Sequence, residues 1–291
     1  MKIALHIPFF YKEERFQYMN NAIDEINTYE HNTDIFIHTN KGFDPSLLNK
    51  NNKGTIQVLE YKTFNERPHV GGNTPWYLTW KCRPLIEKQL NDYDVFMSCD
   101  DDVLIYKTAI DYWFQNKDAL IAHNYNLGFI LVEKDGNNNR FWVNGHVHLQ
   151  DTKIISVNKR LYLLNDHEQY CAFWIYDASE MKRWINSYFW DPDKIARFNT
   201  PERHIPEASM IGMSLEGYRG TVIPLQIKNN KLILNENCIL YHQPNKYIKQ
   251  LDSPFSTIQF ENIISQPNIR ANLVTRDAQA IFLNYVNPDG R

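Results

Sequence analysis

No segment of the 291-residue sequence is apolar for long enough to cross a membrane. The opening run Met-Lys-Ile-Ala-Leu-His-Ile-Pro is too short for a secretory signal and reads as a first strand. A cytoplasmic chain without a membrane segment is therefore expected. There is also no block of Lys and Arg, and the formal net charge is −3. A dedicated nucleic-acid binder would cluster its positive charge, so that class of partner is disfavoured. Phosphorylated small molecules stay open, since one metal ion or one local basic cluster suffices for them. No CxxC pair occurs among the four cysteines, Cys82, Cys99, Cys171 and Cys238. Neither a zinc site nor a disulfide framework is indicated, and free thiols in a reducing compartment are the simplest account. Repeats, low-complexity tracts and a recognisable linker are lacking too. Residues 1–291 are accordingly read as one domain.

What is present is an ordinary globular composition, 43% apolar and 22% charged, which excludes global disorder. Strands are predicted at Ile3–Pro8, Asp34–Asn40, Thr55–Tyr61 and Tyr93–Ser98. Phe16, Met19, Ile23 and Ile26 recur at helical spacing between the first two. A helix is predicted over Trp76–Leu90, interrupted near Pro84. Further strands are predicted at Leu120–Ala122, Phe129–Glu133, Lys153–Ser156, Tyr170–Tyr176 and Thr221–Ile227, with helices at Ala178–Tyr188 and Glu207–Gly217. Asp135–Asn139 reads as a turn. Alternating strands and helices with short connections predict an α/β fold with a mostly parallel central sheet flanked by helices.

The chemistry is concentrated in Asp100-Asp101-Asp102, directly after the apolar strand at 93–98. Open parallel sheets bind ligands beyond the carboxyl ends of their strands. Three adjacent carboxylates repel one another away from bulk water. A divalent cation with hard-oxygen preference, Mg²⁺ or Mn²⁺, removes that cost and leaves positions for phosphate oxygens. A solvated acidic turn is the plainer alternative.

Tyr93-Asp-Val-Phe-Met-Ser-Cys-Asp-Asp-Asp-Val-Leu-Ile105 resembles the strand and DxD segment of the GT-A glycosyltransferases. The resemblance implies a Rossmann-like GT-A fold, with a nucleotide-binding part at about 1–105, an acceptor-binding part at about 106–250 and a C-terminal extension at 251–291. It assigns Asp100 and Asp102 to the metal, and Asp100 and Asp101 to the donor's ribose or diphosphate side. His6 and Pro8 on the first strand and His38 and Asn40 on the second are set beside the nucleotide base. Lys81 and Arg83 become candidate basic contacts to the nucleotide, although both also read as plain helix-surface charge. The segment His204-Ile-Pro-Glu207 resembles the motif that carries the general base of inverting members, which makes Glu207 the candidate catalytic residue. Glutamate is equally favoured in a first helical turn by the backbone dipole. Leu240-Tyr-His-Gln-Pro-Asn-Lys246 resembles a late metal-binding histidine, His242, followed by a diphosphate-binding lysine, Lys246. His146 and His148, two residues apart on one strand face, are a rival ligand pair.

The implied activity is metal-dependent transfer of a sugar from a nucleotide-sugar donor to a glycan or other hydroxyl acceptor. A UDP-sugar is favoured only as the superfamily's commonest donor. Inversion is implied if Glu207 acts as base, and a retaining route otherwise. Gly- and Asn-rich Val70–Thr74 is a candidate closing loop or a simple turn. The alternatives are a nucleotidyltransferase of similar fold, a non-catalytic carbohydrate- or Ca²⁺-binding module, or a degenerate transferase kept as a scaffold. The segment Phe9–Arg15 has no glycine, which counts against the first. The acidic run lacks the spaced ligands of a calcium loop, which counts against the second.

Overall fold

The computed structural model describes residues 1–62, 77–144, 153–165, 170–195, 207, 209–210, 219–229, 231–250, 252–264 and 277. The chain forms two compact units, Met1–Lys107 with Ala172–Gly217, and Thr108–Cys171 with Tyr218–Arg291.

The first unit is built on a sheet of order β11-β4-β1-β2-β3. Strands β1 (Lys2–Phe9), β2 (Asn32–Thr39), β3 (Ile56–Glu60) and β4 (Val95–Cys99) run parallel, and β11 (Phe173–Asp177) joins β4 antiparallel. All five residues of β4 are buried, as its unbroken apolar run requires of a central strand. Parallel β1 and β2 need a crossover, which helix α1 (Phe16–Ile26) supplies. Its buried face is Met19, Ala22, Ile23 and Ile26, at helical spacing. The helix predicted over 76–90 is two short ones, α2 (Leu78–Lys81) and α3 (Arg83–Gln89), with Pro84 in the first turn of the second, where its missing N–H costs nothing. The two-residue strand β5 (Val103–Leu104) packs against α1. Helix α5 (Ala178–Ile185) is capped by Asp177, whose side chain accepts from Glu180 N, and the short α6 (Pro192–Ile195) follows.

At the amino ends of these strands Asp34 is a cross-tie. It accepts from Thr55 N at 2.7 Å and from the Tyr93 hydroxyl at 2.9 Å, and Lys2 pairs with it at 3.3 Å.

In the second unit, helix α4 runs over Lys107–Ala122. The strand predicted at Leu120–Ala122 is a correction: those residues are the last turn of α4, and Leu120 is buried as part of a helical face that includes Ile110 and Trp113. One sheet has the order β13-β12-β10-β9, with β6 (Tyr125–Leu127) parallel to β12. Its strands are β9 (Ile154–Val157), β10 (Arg160–Asn165), β12 (Gly220–Lys228) and β13 (Lys231–Leu234). Asn158 and Lys159 join β9 to β10 with φ of 48° and 61°, the left-handed pair that a two-residue hairpin turn demands. The other sheet holds β7 (Ile130–Lys134), β8 (Arg140–Trp142), β14 (Ile239–His242) and β15 (Ile258–Gln259). Asp135 closes the β7–β8 turn by accepting from Asn137 N and Asn139 N, both at 2.8 Å. Ile130, Val132, Ile154, Leu163, Ile223 and Phe260 draw both sheets into one core. The predicted α/β class therefore holds. Parallel pairing dominates the first unit and antiparallel pairing the second. No helix among the described residues is long and apolar enough to cross a membrane.

Candidate functional site

The strand order β3-β2-β1-β4 reverses direction at β1. The carboxyl ends of β1 and β4 flank that switch point, where ligands of open parallel sheets bind. Asp100, Asp101 and Asp102 stand at the end of β4. Val103 N donates to the Asp100 carbonyl at 3.1 Å, so Asp101 and Asp102 are the two central residues of a tight turn. Asp100 N continues the ladder to the Ala172 carbonyl at 3.1 Å, which fixes where the turn begins.

The end of β1 leads into a short 3₁₀ turn, Glu13–Arg15, and Arg15 reaches the acidic turn. Its Nε lies 2.6 Å from Asp101 Oδ2, and its Nη2 lies 2.6 Å from Asp101 Oδ1 and 2.8 Å from Asp102 Oδ2. Asp101 and Asp102 are each 6% exposed, whereas the Arg15 side chain is 28% exposed. Burial, reinforced by Asp102, pushes the Asp101 carboxyl well above the usual carboxylate range, and Arg15 works in the opposite direction. Burial disfavours the Arg15 charge as well, but Asp101 and Asp102 outweigh it and raise the guanidinium pKa. The acidic turn therefore has a protein cation as partner. That residue was not among those singled out in the sequence, where it appears only as one charge in Lys-Glu-Glu-Arg.

Beside this turn the ends of β1 and β2 are tied together. Tyr11 N donates to Asn40 Oδ1 at 2.7 Å, and Lys41 Nζ sits 4.1 Å from the Tyr11 ring centroid. Phe9, Tyr11, Phe16 and Phe43 form an aromatic cluster with centroids 5.0–6.0 Å apart. Pro8 is half-buried in β1, opposite His38.

His6 and His38 are fully buried and face each other, with His6 Nδ1 3.0 Å from His38 Nε2. His38 Nδ1 is 2.9 Å from the Tyr61 hydroxyl, which donates to the Lys81 carbonyl at 3.4 Å. The contact between the two rings pairs one protonated with one bare ring nitrogen, so the chain of hydrogen bonds is complete with both rings neutral. Burial holds the His38 pKa down to about 3, and burial with the neighbouring His38 lowers that of His6. Burial pushes Tyr61 up to about 12. These rings, set beside the base by resemblance, are thus engaged in a relay within the unit.

Lys81 is half-buried, its Nζ 5.8 Å from the Tyr61 ring centroid. Arg83 is 4% exposed. Its guanidinium lies 4.2, 5.3 and 4.7 Å from the rings of Trp80, Trp184 and Trp190. It donates to the carbonyls of Phe189 at 3.2 Å, of Trp190, and of Ser209 at 2.9 Å. This buried cage replaces the helix-surface setting that was the plain expectation for Arg83. Arg83→Ala is expected to cost about 2 kcal/mol by stranding buried acceptors. Arg83→Lys should rescue little, because one ammonium cannot replace a planar fork. Urea unfolding followed by tryptophan fluorescence checks both, and a wild-type midpoint in Arg83→Ala would refute the clamp.

Glu207 is half-buried in the same unit, and its carbonyl accepts from Met210 N at 3.0 Å. Arg83 thereby holds the turn that carries it, through Ser209. Of the helix predicted at 207–217, residues 209 and 210 form a turn and 208 and 211–217 lie outside the described residues, as do the loop at 70–74 and His146 and His148.

His242 and Lys246 belong to the second unit. His242 Nδ1 is 2.6 Å from Glu133 Oε1, and the ring stacks on Tyr247 at 5.3 Å. Lys246 Nζ lies 4.8 Å from the Tyr247 ring centroid. Glu133 is fully buried and also accepts from Tyr247 N, Ile248 N and Ser256 Oγ at 3.2, 2.8 and 3.0 Å. Burial would raise its pKa, but His242 and the two backbone donors outweigh burial and hold it below the usual value. A carboxylate behind one ring nitrogen is the usual support of a metal-binding histidine, and equally a structural lock. All four cysteines are free and buried, as the scattered spacing predicts.

Among the described residues no three His, Cys, Asp or Glu side chains are arranged to hold a metal ion. Mg²⁺ with a nucleotide commonly needs only one or two carboxylates. The hard-oxygen donors of Asp101 and Asp102, buried and converging on one cation, fit that smaller requirement. The chain matches no protein-family model, and no curated protein sequence matches it.

Proposed function

We propose that the first unit binds a nucleotide-sugar and that the chain is a GT-A-type glycosyltransferase, transferring the sugar to a glycan or other hydroxyl acceptor. One observation carries the reading: the acidic turn 100–102 and Arg15 meet at the carboxyl ends of β4 and β1, the switch point of a β3-β2-β1-β4 parallel order. A Rossmann-like nucleotide half of this kind offers its diphosphate position there. Asp102, with Asp101 beside it, is the proposed metal ligand, and Asp100 is the further carboxylate of the same turn that the resemblance assigns to the metal. A bound Mg²⁺ or Mn²⁺ would supply electrostatic stabilisation of the departing nucleoside diphosphate. Asn40 and the Tyr11–Phe43 cluster border the β1–β2 side, where a base would stack. Glu207 is the proposed proton acceptor from the acceptor hydroxyl, and the Arg83–Ser209 bond steadies its turn.

Calorimetric titration of UDP and GDP, with Mn²⁺ or with EDTA, tests the reading. One nucleotide should bind only with Mn²⁺, and Asp102→Ala should weaken it at least 100-fold. Glu207→Gln should keep that binding and lose transfer. Failure of both nucleotides to bind folded protein in the presence of Mn²⁺ would exclude a UDP- or GDP-sugar donor. A donor with another base would be tested next, and failure there too would leave the binding-module alternative.

A further inference from the structure

We infer that Arg15 is a displaceable counter-ion: its pairing with Asp101 and Asp102 and the loading of a divalent cation there exclude one another, and the released guanidinium is taken up by the nucleotide's diphosphate. The inference rests on the nucleotide-site reading above and adds a coupling between metal and nucleotide to it.

Three features of the contact lead to this. First, Arg15 occupies both oxygens of Asp101 and one of Asp102. A hard cation would have to approach those same oxygens to about 2.1 Å, and two positive groups cannot share them at that range. Second, the partners differ in freedom. The two carboxylates are 6% exposed and fixed by a turn whose first residue is bonded to the Ala172 carbonyl. The arginine side chain is 28% exposed and rises from a three-residue 3₁₀ turn with no side-chain cap. When the pair parts, the arginine is the member that swings. Third, Arg15 sits on the β1 side of the switch point and the carboxylates on the β4 side. A diphosphate at that point lies between them, and a guanidinium matches phosphate oxygens in the same two-pronged way that it matches a carboxylate.

The consequence is cooperativity. A cation arriving alone must evict Arg15 and leave it without its carboxylates. A cation arriving with a nucleoside diphosphate evicts it into a new ion pair. Metal and nucleotide should therefore each strengthen the other's binding, as linkage requires.

The experiment is Mn²⁺ titration, read by electron paramagnetic resonance of free Mn²⁺, on wild type, Arg15→Ala and Arg15→Gln, without and then with UDP or GDP, whichever binds. Thermal melting identifies a variant that has failed to fold, and the glutamine variant preserves hydrogen bonding to the acidic turn. Without nucleotide, both variants should bind Mn²⁺ at least tenfold more tightly than wild type. With nucleotide, the wild-type affinity for Mn²⁺ should rise at least tenfold and the variants' should rise less. Equal Mn²⁺ affinities in variant and wild type would overturn the inference. If Asp102→Ala still abolishes Mn²⁺-dependent nucleotide binding, that result leaves the nucleotide site standing without the exchange. Tighter Mn²⁺ binding in the variants, with no nucleotide bound by any form, would support the eviction of Arg15 and overturn the nucleotide site and the hand-over to phosphate.

Discussion

Replacing Glu133 with alanine is expected to destabilise the second unit by about 4 kcal/mol. The reason is the number of donors that converge on one buried carboxylate. His242 on β14, the backbone N–H groups of Tyr247 and Ile248, and the Ser256 hydroxyl all point to it. Alanine removes every acceptor at once and leaves four donors facing a void, and each buried unsatisfied group costs about 1–3 kcal/mol. The full sum is not reached, because the segment after β14 can relax toward water. Glu133→Gln keeps the volume and one acceptor oxygen but turns an NH₂ toward the donors, so about half the loss is expected. Urea unfolding measures the size of the effect. Amide hydrogen exchange assigns it, because Tyr247 and Ile248 should lose protection before the β9–β10 hairpin does. A wild-type melt for Glu133→Ala, with those two amides still protected, would mean that the carboxylate is not the cross-link its geometry describes.

Glu133 also marks the limit of sequence reading. His242 was visible only through the resemblance of Leu240–Lys246 to a late histidine followed by a lysine, and its partner lies 109 residues earlier at the end of β7. Nothing local to either residue announces the pair. The same holds for Arg15, which is 86 residues from Asp101. The acidic run was legible because the strand before it is continuously apolar and stops abruptly, although Asp101 and Asp102 are themselves buried in the turn. The cation that answers the acidic run was not legible. Composition alone supplied a metal as the remedy for like charges, whereas the fold supplies a guanidinium by placing the ends of β1 and β4 side by side. Arg83 was recognisable as a cation before the central strand, but its three tryptophans come from positions 80, 184 and 190, which only the tertiary fold assembles. Helix α4 was missed because its buried face mixes Asn116 and Tyr112 with Ile110 and Trp113, which blurs the apolar period, and Leu120–Ala122 then read as a strand. The two units left no linker signature because each is assembled from two separate segments of chain. The parallel strands β1 to β4 were read within one or two residues, since their apolar runs and flanking polar turns are local properties.

The second large effect concerns acid. Stability is expected to fall by about 2 kcal/mol between about pH 7.5 and pH 5 through His38 alone, with His6 adding in the same direction. The sign follows from proton counting. Unfolded, both histidines bind a proton as the pH drops through about 6.5. Folded, burial keeps His38 neutral down to about 3 and keeps His6 neutral well below its ordinary value. The unfolded state then holds more protons across this window, so stability rises with pH and is lost on acidification. Protonation of His38 in place would also break the relay, since both of its ring nitrogens would then be donors and neither could accept. Among the carboxylates, Asp101 acts in the opposite sense, because its raised pKa lets the folded state bind a proton before the unfolded state does. Asp34 and Glu133 have lowered values, so their contributions disappear only below the usual carboxylate range, beneath pH 5. His38→Gln isolates the effect, because glutamine offers one donor and one acceptor to the same neighbours and binds no proton. Unfolding free energies measured from pH 7.5 to 5 should show a slope in the variant smaller by about one proton at the acid end, or about 1.4 kcal/mol per pH unit. A slope that His38→Gln leaves unchanged would show that the His38 ring takes up its proton in the folded state. The neutral relay from His6 to the Lys81 carbonyl could then not be the resting state of the first unit.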